Sequence, residues 1–184
     1  MRFKAPVSEQ QIISECKKGS LKYQELLYKK FYGFATGVCM RYSLSEEDAL
    51  EAVNDAFIKV FNAIHLYNEA NPFKAWLRSI VVNTAIDRRR KEMKYHLQAE
   101  ITDALPAIEP EYISSYLNAQ DILKLMETLP PLHRTVFNLY EIDGYSHDEI
   151  GQMLDLPASS SRVYLSRAKE KLKKAIKSES AKHG

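Results

Sequence analysis

SHDEIGQMLDLPASSSRVYLSRAKEKLKK, residues 146–174, is the stretch on which the reading of the chain turns. Ser146 followed three residues later by Glu149 forms a capping box, in which side chain and backbone satisfy each other's free groups, so a helix is expected from His147. Ile150, Met153 and Leu154 share one face of that helix, and Pro157 makes its continuation costly. Past the proline, Ser159 or Ser160 is placed to cap a second helix, where Leu165, Ala168 and Leu172 recur at spacings of three and four. Two short amphipathic helices joined by Asp155-Leu156-Pro157 read as a helix-turn-helix, a motif that presents the N-terminal end of its second helix to a DNA major groove.

The charge of the second helix agrees with that reading. Between Arg162 and Lys177 stand two arginines and five lysines against the single Glu170. Such a strip neutralises phosphates, and small hydroxyl residues at its N-terminal end let backbone donors approach a phosphate closely. Lysines near a helix C-terminus also favour the helix dipole without any ligand, so the strip gains weight from the capped helix and turn before it.

The 184 residues suit one medium domain or two small helical ones, and the formal charge of +2 says little by itself. Its distribution says more. Residues 1–96 hold 16 basic and 11 acidic side chains, residues 97–128 hold one and six, and residues 129–184 hold nine and seven. Two basic modules therefore flank an acidic connection. Cys16 and Cys39 lack the paired spacing of a zinc or redox site, and the five histidines do not gather around them, so no metal site and no cofactor are expected. No apolar stretch approaches the ~20 residues of a membrane span and no signal-peptide core follows Met1, which predicts a cytoplasmic protein without membrane insertion.

Periodicity is helical almost throughout. One helix is expected from Ser8 to about Lys18 with Ile12, Ile13 and Cys16 inward, and a second from about Ser20 to Met40 with Leu21, Leu27, Phe31, Phe34 and Val38 facing a core. Gly33 and Gly37 weaken that helix without ending it. Ser45 caps the next, which turns Leu50, Val53, Phe57, Val60 and Phe61 to one side and Asp48, Glu51, Asn54, Asp55 and Lys59 to the other. A further helix starts beside Pro72 with Phe73, Trp76, Leu77, Ile80 and Val81 as its buried stripe. Asn83, Asp87 and the run Arg88-Arg89-Arg90-Lys91 close it, and that run suggests a phosphate-facing end. Pro106, Pro110 and weak periodicity between Leu97 and Tyr116 mark a linker. Helix returns around Leu117 to Leu129, is interrupted by Pro130-Pro131, and resumes from Arg134 to Glu141 before a turn at Asp143-Gly144.

EEDALEAVNDAFIKVF, then FKAWLRSIVVNTAIDRRR, then METLPPLHRTVFNLYEIDGYSHDEIGQMLDLP and LSRAKEKLKK resemble, in this order, the bacterial RNA polymerase sigma factors of the extracytoplasmic-function (ECF) group, the smallest branch of the sigma-70 family. The resemblance covers about residues 8–96 and 118–176. It implies an all-α chain of two small helical domains: a sigma region 2 domain over residues 1–96 that binds core polymerase and recognises and melts the promoter −10 element, an acidic flexible linker over 97–117, and a sigma region 4 helix-turn-helix domain over 118–184 that recognises the −35 element. The partners implied are the polymerase core (its β′ clamp coiled coil and β flap), promoter DNA and an anti-sigma factor.

Residue by residue, the resemblance puts Asp48, Glu51, Asn54 and Asp55 on the surface that grips the β′ coiled coil. It puts Asn68, Glu69 and Asn71 in the loop that captures a flipped −10 base, with Asn83, Arg88, Arg89 and Arg90 beside duplex or fork. Ser159, Ser160, Arg162, Val163, Ser166, Arg167 and Lys169 fall on the −35 surface. The chain departs from the family pattern at Ala158, Ser159, Ser160, Val163 and Tyr164, so a borrowed −35 consensus does not transfer. Val163 and Tyr164 are placed to meet a thymine methyl or a sugar edge. No nucleophile, acid–base pair or glycine-rich phosphate loop is evident, so catalysis is not expected. An operator-binding regulator and a protein-interaction adaptor are the competing functions, since a helix-turn-helix does not by itself say whether its owner recruits or represses polymerase.

Overall fold

The computed structural model describes residues 7–99, 125, 126 and 128–182, and every regular element among them is helical. The chain divides into two compact units, Met1–Lys91 and Glu92–Gly184. In the first, α1 (Glu9–Lys17), α2 (Leu21–Cys39), α3 (Glu46–Ala63), a 3-10 turn (Ile64–Leu66) and α4 (Phe73–Ala99) follow one another, the end of α4 running past the Lys91 boundary. In the second come α5 (Pro131–Phe137), a π-helical turn (Asn138–Ile142), α6 (His147–Leu154) and α7 (Ala158–Lys182). Most of the linker expected at 97–117 and most of the helix expected around 117–129 lie outside the described residues.

The first unit is built by α1 against α2 and α2 against α3, with Leu27, Phe31, Val38, Val53, Phe57, Val60, Leu77 and Val81 enclosed. Ala49, Ala52 and Ala56, which hydropathy alone does not single out, are as deeply buried as the large residues of α3. Phe31, Tyr67 and Trp76 surround Phe73 with ring centroids 5.1–5.5 Å away, so the start of α4 is held by aromatic contacts. Ser8 and Ser45 cap α1 and α3 through the N–H groups of Gln11 and Asp48. Cys16 and Cys39 are free, buried thiols whose pKa values burial pushes to about 11 and about 12.

Four details differ from expectation. Leu21 is 79% exposed, because it opens α2 ahead of the first turn that meets α1 and α3. The helix that was expected to close at the arginine run continues to Ala99. After the break at Pro130 the helix resumes at Pro131 itself, three residues before Arg134, because a first-turn residue needs no N–H partner. Finally, α7 starts at Ala158 and its first carbonyl acceptor is Pro157, which receives the N–H groups of Ser160 and Ser161 at 2.9 and 3.2 Å, so neither Ser159 nor Ser160 is the N-cap.

Candidate functional surfaces

Asp48, Glu51 and Asp55 lie at spacings of three and four along α3, so one turn stacks each above the next. The helix opposite places Arg88 among them. Its guanidinium donates to Asp55 Oδ2 at 2.8 Å, Glu51 Oε2 at 2.5 Å and Asp48 Oδ1 at 3.5 Å. Burial lowers the Arg88 pKa, but its hydrogen bonds to Asp55, Glu51 and Asp48 outweigh it and hold the guanidinium above its ordinary value. Three carboxylates and one cation leave an acidic stripe. Asn54 flanks it, its side-chain oxygen accepting from Tyr28 Oη at 3.1 Å.

This geometry takes apart the arginine run read as one phosphate-facing end. Successive helical residues turn by about 100°, so four in a row fan around the axis. Arg88 joins the acidic stripe, Arg89 is only 6% exposed, Arg90 pairs with Asp87 at 3.1 Å, and Lys91 faces solvent. Arg88, Arg89 and Arg90 therefore do not share one exposed face of α4. Asn83 remains exposed on α4.

Asn68, Glu69 and Asn71 are brought together on one exposed loop before α4. Asn68 Oδ1 accepts the Ala70 N–H at 2.9 Å and the Asn68 carbonyl accepts the Asn71 N–H at 3.1 Å, a turn closed by an Asn side chain. Tyr67 is buried beneath it, packed edge-to-face on Phe73 and tilted against Trp76, and donates its hydroxyl to the Asn71 carbonyl. Trp76 is half-buried in this cluster, between the core and the surface.

In the second unit, Ser146 and Glu149 form the expected capping box, and Asp155 ends α6 in the left-handed conformation at φ 57°. Ser159, Arg162, Val163, Ser166 and Arg167 make a continuous exposed face of α7, with Ser160 at its half-buried margin. Lys169 is also exposed but leans away to Glu141 at 2.6 Å. Tyr164 is half-buried and turns to His133, 5.2 Å between ring centroids, instead of joining that face.

The third serine is the one that residue spacing does not reveal. Ser161 is fully buried, and its Oγ lies 2.9 Å from His147 Nδ1. The same imidazole stacks on Tyr140 at 4.4 Å. His147 thus joins the π-helical turn, α6 and the first turn of α7, and its position fourteen residues from Ser161 hides the pair from any local pattern. Removing it by His147→Ala is expected to cost about 1–3 kcal/mol, the usual penalty for stranding a buried polar group, whereas Ser159→Ala should stay within about 0.5 kcal/mol, as surface changes do. Urea unfolding of the two variants checks this, and equal midpoints would remove the junction.

Burial lowers the His147 pKa first and Arg162 and Lys169 lower it further against Asp148; burial, Arg167 and Lys171 do the same for His133. Depressed histidine values mean that the unfolded chain takes up protons first. The stability they contribute is thus present above about pH 6.5, the free-histidine value, and is lost as pH falls below it.

Among the described residues, no group of three or more His, Cys, Asp or Glu could hold a metal, and no helix is long and apolar enough to cross a membrane. Comparison with known proteins gives two matched families, Sigma-70 region 2 over residues 27–95 and Sigma-70, region 4 over residues 119–172. The chain is 31% identical over 139 residues to the ECF RNA polymerase sigma factor SigE of Mycolicibacterium smegmatis, covering 72% of this chain and spanning about half, 53%, of that relative. It is 25% identical over 183 residues to the ECF RNA polymerase sigma-E factor of Haemophilus influenzae, covering 92% of this chain and 96% of the relative. The solved sigma factor RpoE of Bartonella quintana, in complex with the anti-sigma factor NepR, shares the fold with a TM-score of 0.52 at 18% identity, over 83% of this chain and 96% of that one. Two sigma regions in family order, each on its own helical unit, show that the chain belongs to the sigma-70 family as an ECF RNA polymerase sigma factor, a polymerase-binding and promoter-recognising protein and not an enzyme.

Proposed function

We propose that the first unit docks the acidic stripe of α3 on the β′ clamp coiled coil and offers the Asn68–Asn71 loop to an unpaired −10 base, while α7 reads the −35 element near the β flap. The observation that carries this is the pairing, in one chain, of a carboxylate stripe with a separate exposed face of Ser159, Arg162, Val163, Ser166 and Arg167. Carboxylates suit a basic protein helix and repel DNA; the α7 face suits phosphate and base edges. Because α7 opens without a side-chain cap, the N–H groups of Ala158 and Ser159 precede its first internal bond and suit a phosphate. Residues 1–96, 97–117 and 118–184 then serve as region 2, linker and region 4. Opening of DNA draws on binding energy, since capture of a base offsets the few kcal/mol of unstacking.

An anti-sigma factor is the expected antagonist, supported by the NepR complex of the B. quintana relative. Transcription by core polymerase plus this protein on a genomic fragment library is expected to start at a common promoter class without any other sigma factor. A requirement for a second sigma factor would point to an operator-binding regulator instead. With the promoter in hand, Arg162→Ala and Arg167→Ala, each loaded on core polymerase, separate two roles. A base reader loses about 1–3 kcal/mol of preference among −35 variants, and a phosphate holder lowers the salt slope by about one unit. Unaltered preference and affinity in both variants would take α7 out of the interface.

A further inference from the structure

We infer that Lys17, on α1, is a positioning residue for the −10 loop, so that a helix fifty residues upstream is part of promoter reading; this rests on the proposed role of that loop. The Lys17 ammonium donates to the Tyr67 carbonyl at 3.1 Å and to Glu69 Oε1 at 2.8 Å, and lies 5.4 Å from the centroid of the Tyr67 ring. Its side chain is 26% exposed, against 66% for Glu69. One cation therefore engages the first residue of the loop through its backbone and its ring, and the middle of the loop through a carboxylate. Tyr67 carries the hold onward, through its hydroxyl to the Asn71 carbonyl and its ring to Phe73 and Trp76.

Two consequences follow for base recognition. An unpaired Glu69 would repel the phosphates of a captured strand; Lys17 offsets that charge locally. It also fixes the carboxylate by one oxygen, leaving the other to accept from an exocyclic amino group, a donor that adenine, cytosine and guanine carry and thymine lacks. Asn68 Oδ1 is already committed to the Ala70 N–H, so its side-chain amide group is the donor left over. A loop with both groups preset spends less ordering energy when the base arrives. An exposed ion pair alone is worth little; the backbone and ring contacts, made at a partly enclosed ammonium, are what turn this one into a strut.

The test uses the full chain on core polymerase with a promoter selected as above. Lys17→Met keeps the length of the side chain and removes its charge. It is expected to slow open-complex formation on duplex promoter by about tenfold, equivalent to ~1.4 kcal/mol, and to flatten the preference among single-base −10 variants, while core affinity and melting temperature stay as in wild type. Lys17→Arg, which can still bridge the carbonyl and the carboxylate, should restore most of both. Lys17→Met with unchanged opening and preference overturns the inference. So does a loss spread equally over all −10 variants that follows a lowered melting temperature, which is a stability effect only. Replacing Asn68, Glu69 and Asn71 together by alanine separates the two levels: if that variant also opens duplex promoter normally, the loop reading itself fails, whereas a defect there beside a normal Lys17→Met dismisses Lys17 alone.

Discussion

Replacing Asp48 and Asp55 by lysine is expected to weaken binding to core polymerase by at least about tenfold, or ~1.4 kcal/mol. The wild-type stripe carries three carboxylates and one guanidinium; the double variant leaves Glu51 as the sole acid among three cations. Single exposed ion pairs contribute about 0.2–1 kcal/mol, but like charges set opposite each other across an interface cost several, so reversal is a larger perturbation than removal. Asp48→Asn with Asp55→Asn, which keeps shape and takes away charge, should fall between. Circular dichroism supplies the folded-state control, because Arg88 loses two charged partners in either variant. Affinity within about twofold of wild type in a folded double-lysine protein would dismiss the stripe as the docking surface; twofold is well under 1 kcal/mol. Arg88→Met sharpens the assignment. It is expected to change core affinity and to leave the salt dependence of promoter binding as it was, whereas a slope reduced by about one would return Arg88 to the DNA.

The second large effect is expected at Gly151. A Cβ there would stand 2.7 Å from the Leu156 carbonyl oxygen and 3.5 Å from the Ala158 nitrogen, both backbone atoms of the turn between the two helices. The Gly151 carbonyl also accepts the N–H groups of Asp155 and Leu156, so the turn is folded back on this residue. Gly151→Ala gains up to about 1 kcal/mol of helix propensity and must displace the turn to do so; overpacking of this kind costs about 1–3 kcal/mol. The loss should appear as a lower unfolding midpoint of the second unit and as at least about tenfold weaker −35 binding, because the turn sets the angle at which α7 leaves α6. Gly33→Ala is the contrast. Beyond its chain neighbours and the adjoining backbone of its own helix, nothing lies within 4 Å of a Cβ at Gly33, so the same substitution should stabilise by about 0.5–1 kcal/mol. A Gly151→Ala protein with wild-type midpoint and promoter affinity would show that the close approach is relieved without cost.

The helices themselves were legible from residue spacing. Ile12, Ile13 and Cys16, or Val53, Phe57 and Val60, turn inward because the helical period is a local property that the order of side chains already states. The caps at Ser45 and Ser146 were legible for the same reason, since donor and acceptor stand three residues apart. The exposed face of α7 and the carboxylate stripe of α3 likewise need only a single helix to be seen.

Legibility ended where two elements meet. Arg88 reaches acids 33 to 40 residues away, Lys17 a carboxylate 52 residues away, and His147 a serine across the helix-turn-helix. The arginine run looked like one surface because adjacent letters suggest adjacent side chains, whereas rotation of the helix sends each to a different neighbour. Likewise the three serines looked alike, yet Pro157 supplies the first carbonyl of α7, Ser159 faces solvent, Ser160 stands at the margin, and Ser161 is buried. Which face a residue occupies follows from the period of its own helix; whether that face meets solvent, a carboxylate or an imidazole depends on packing between segments distant in sequence, and only the tertiary structure decides it.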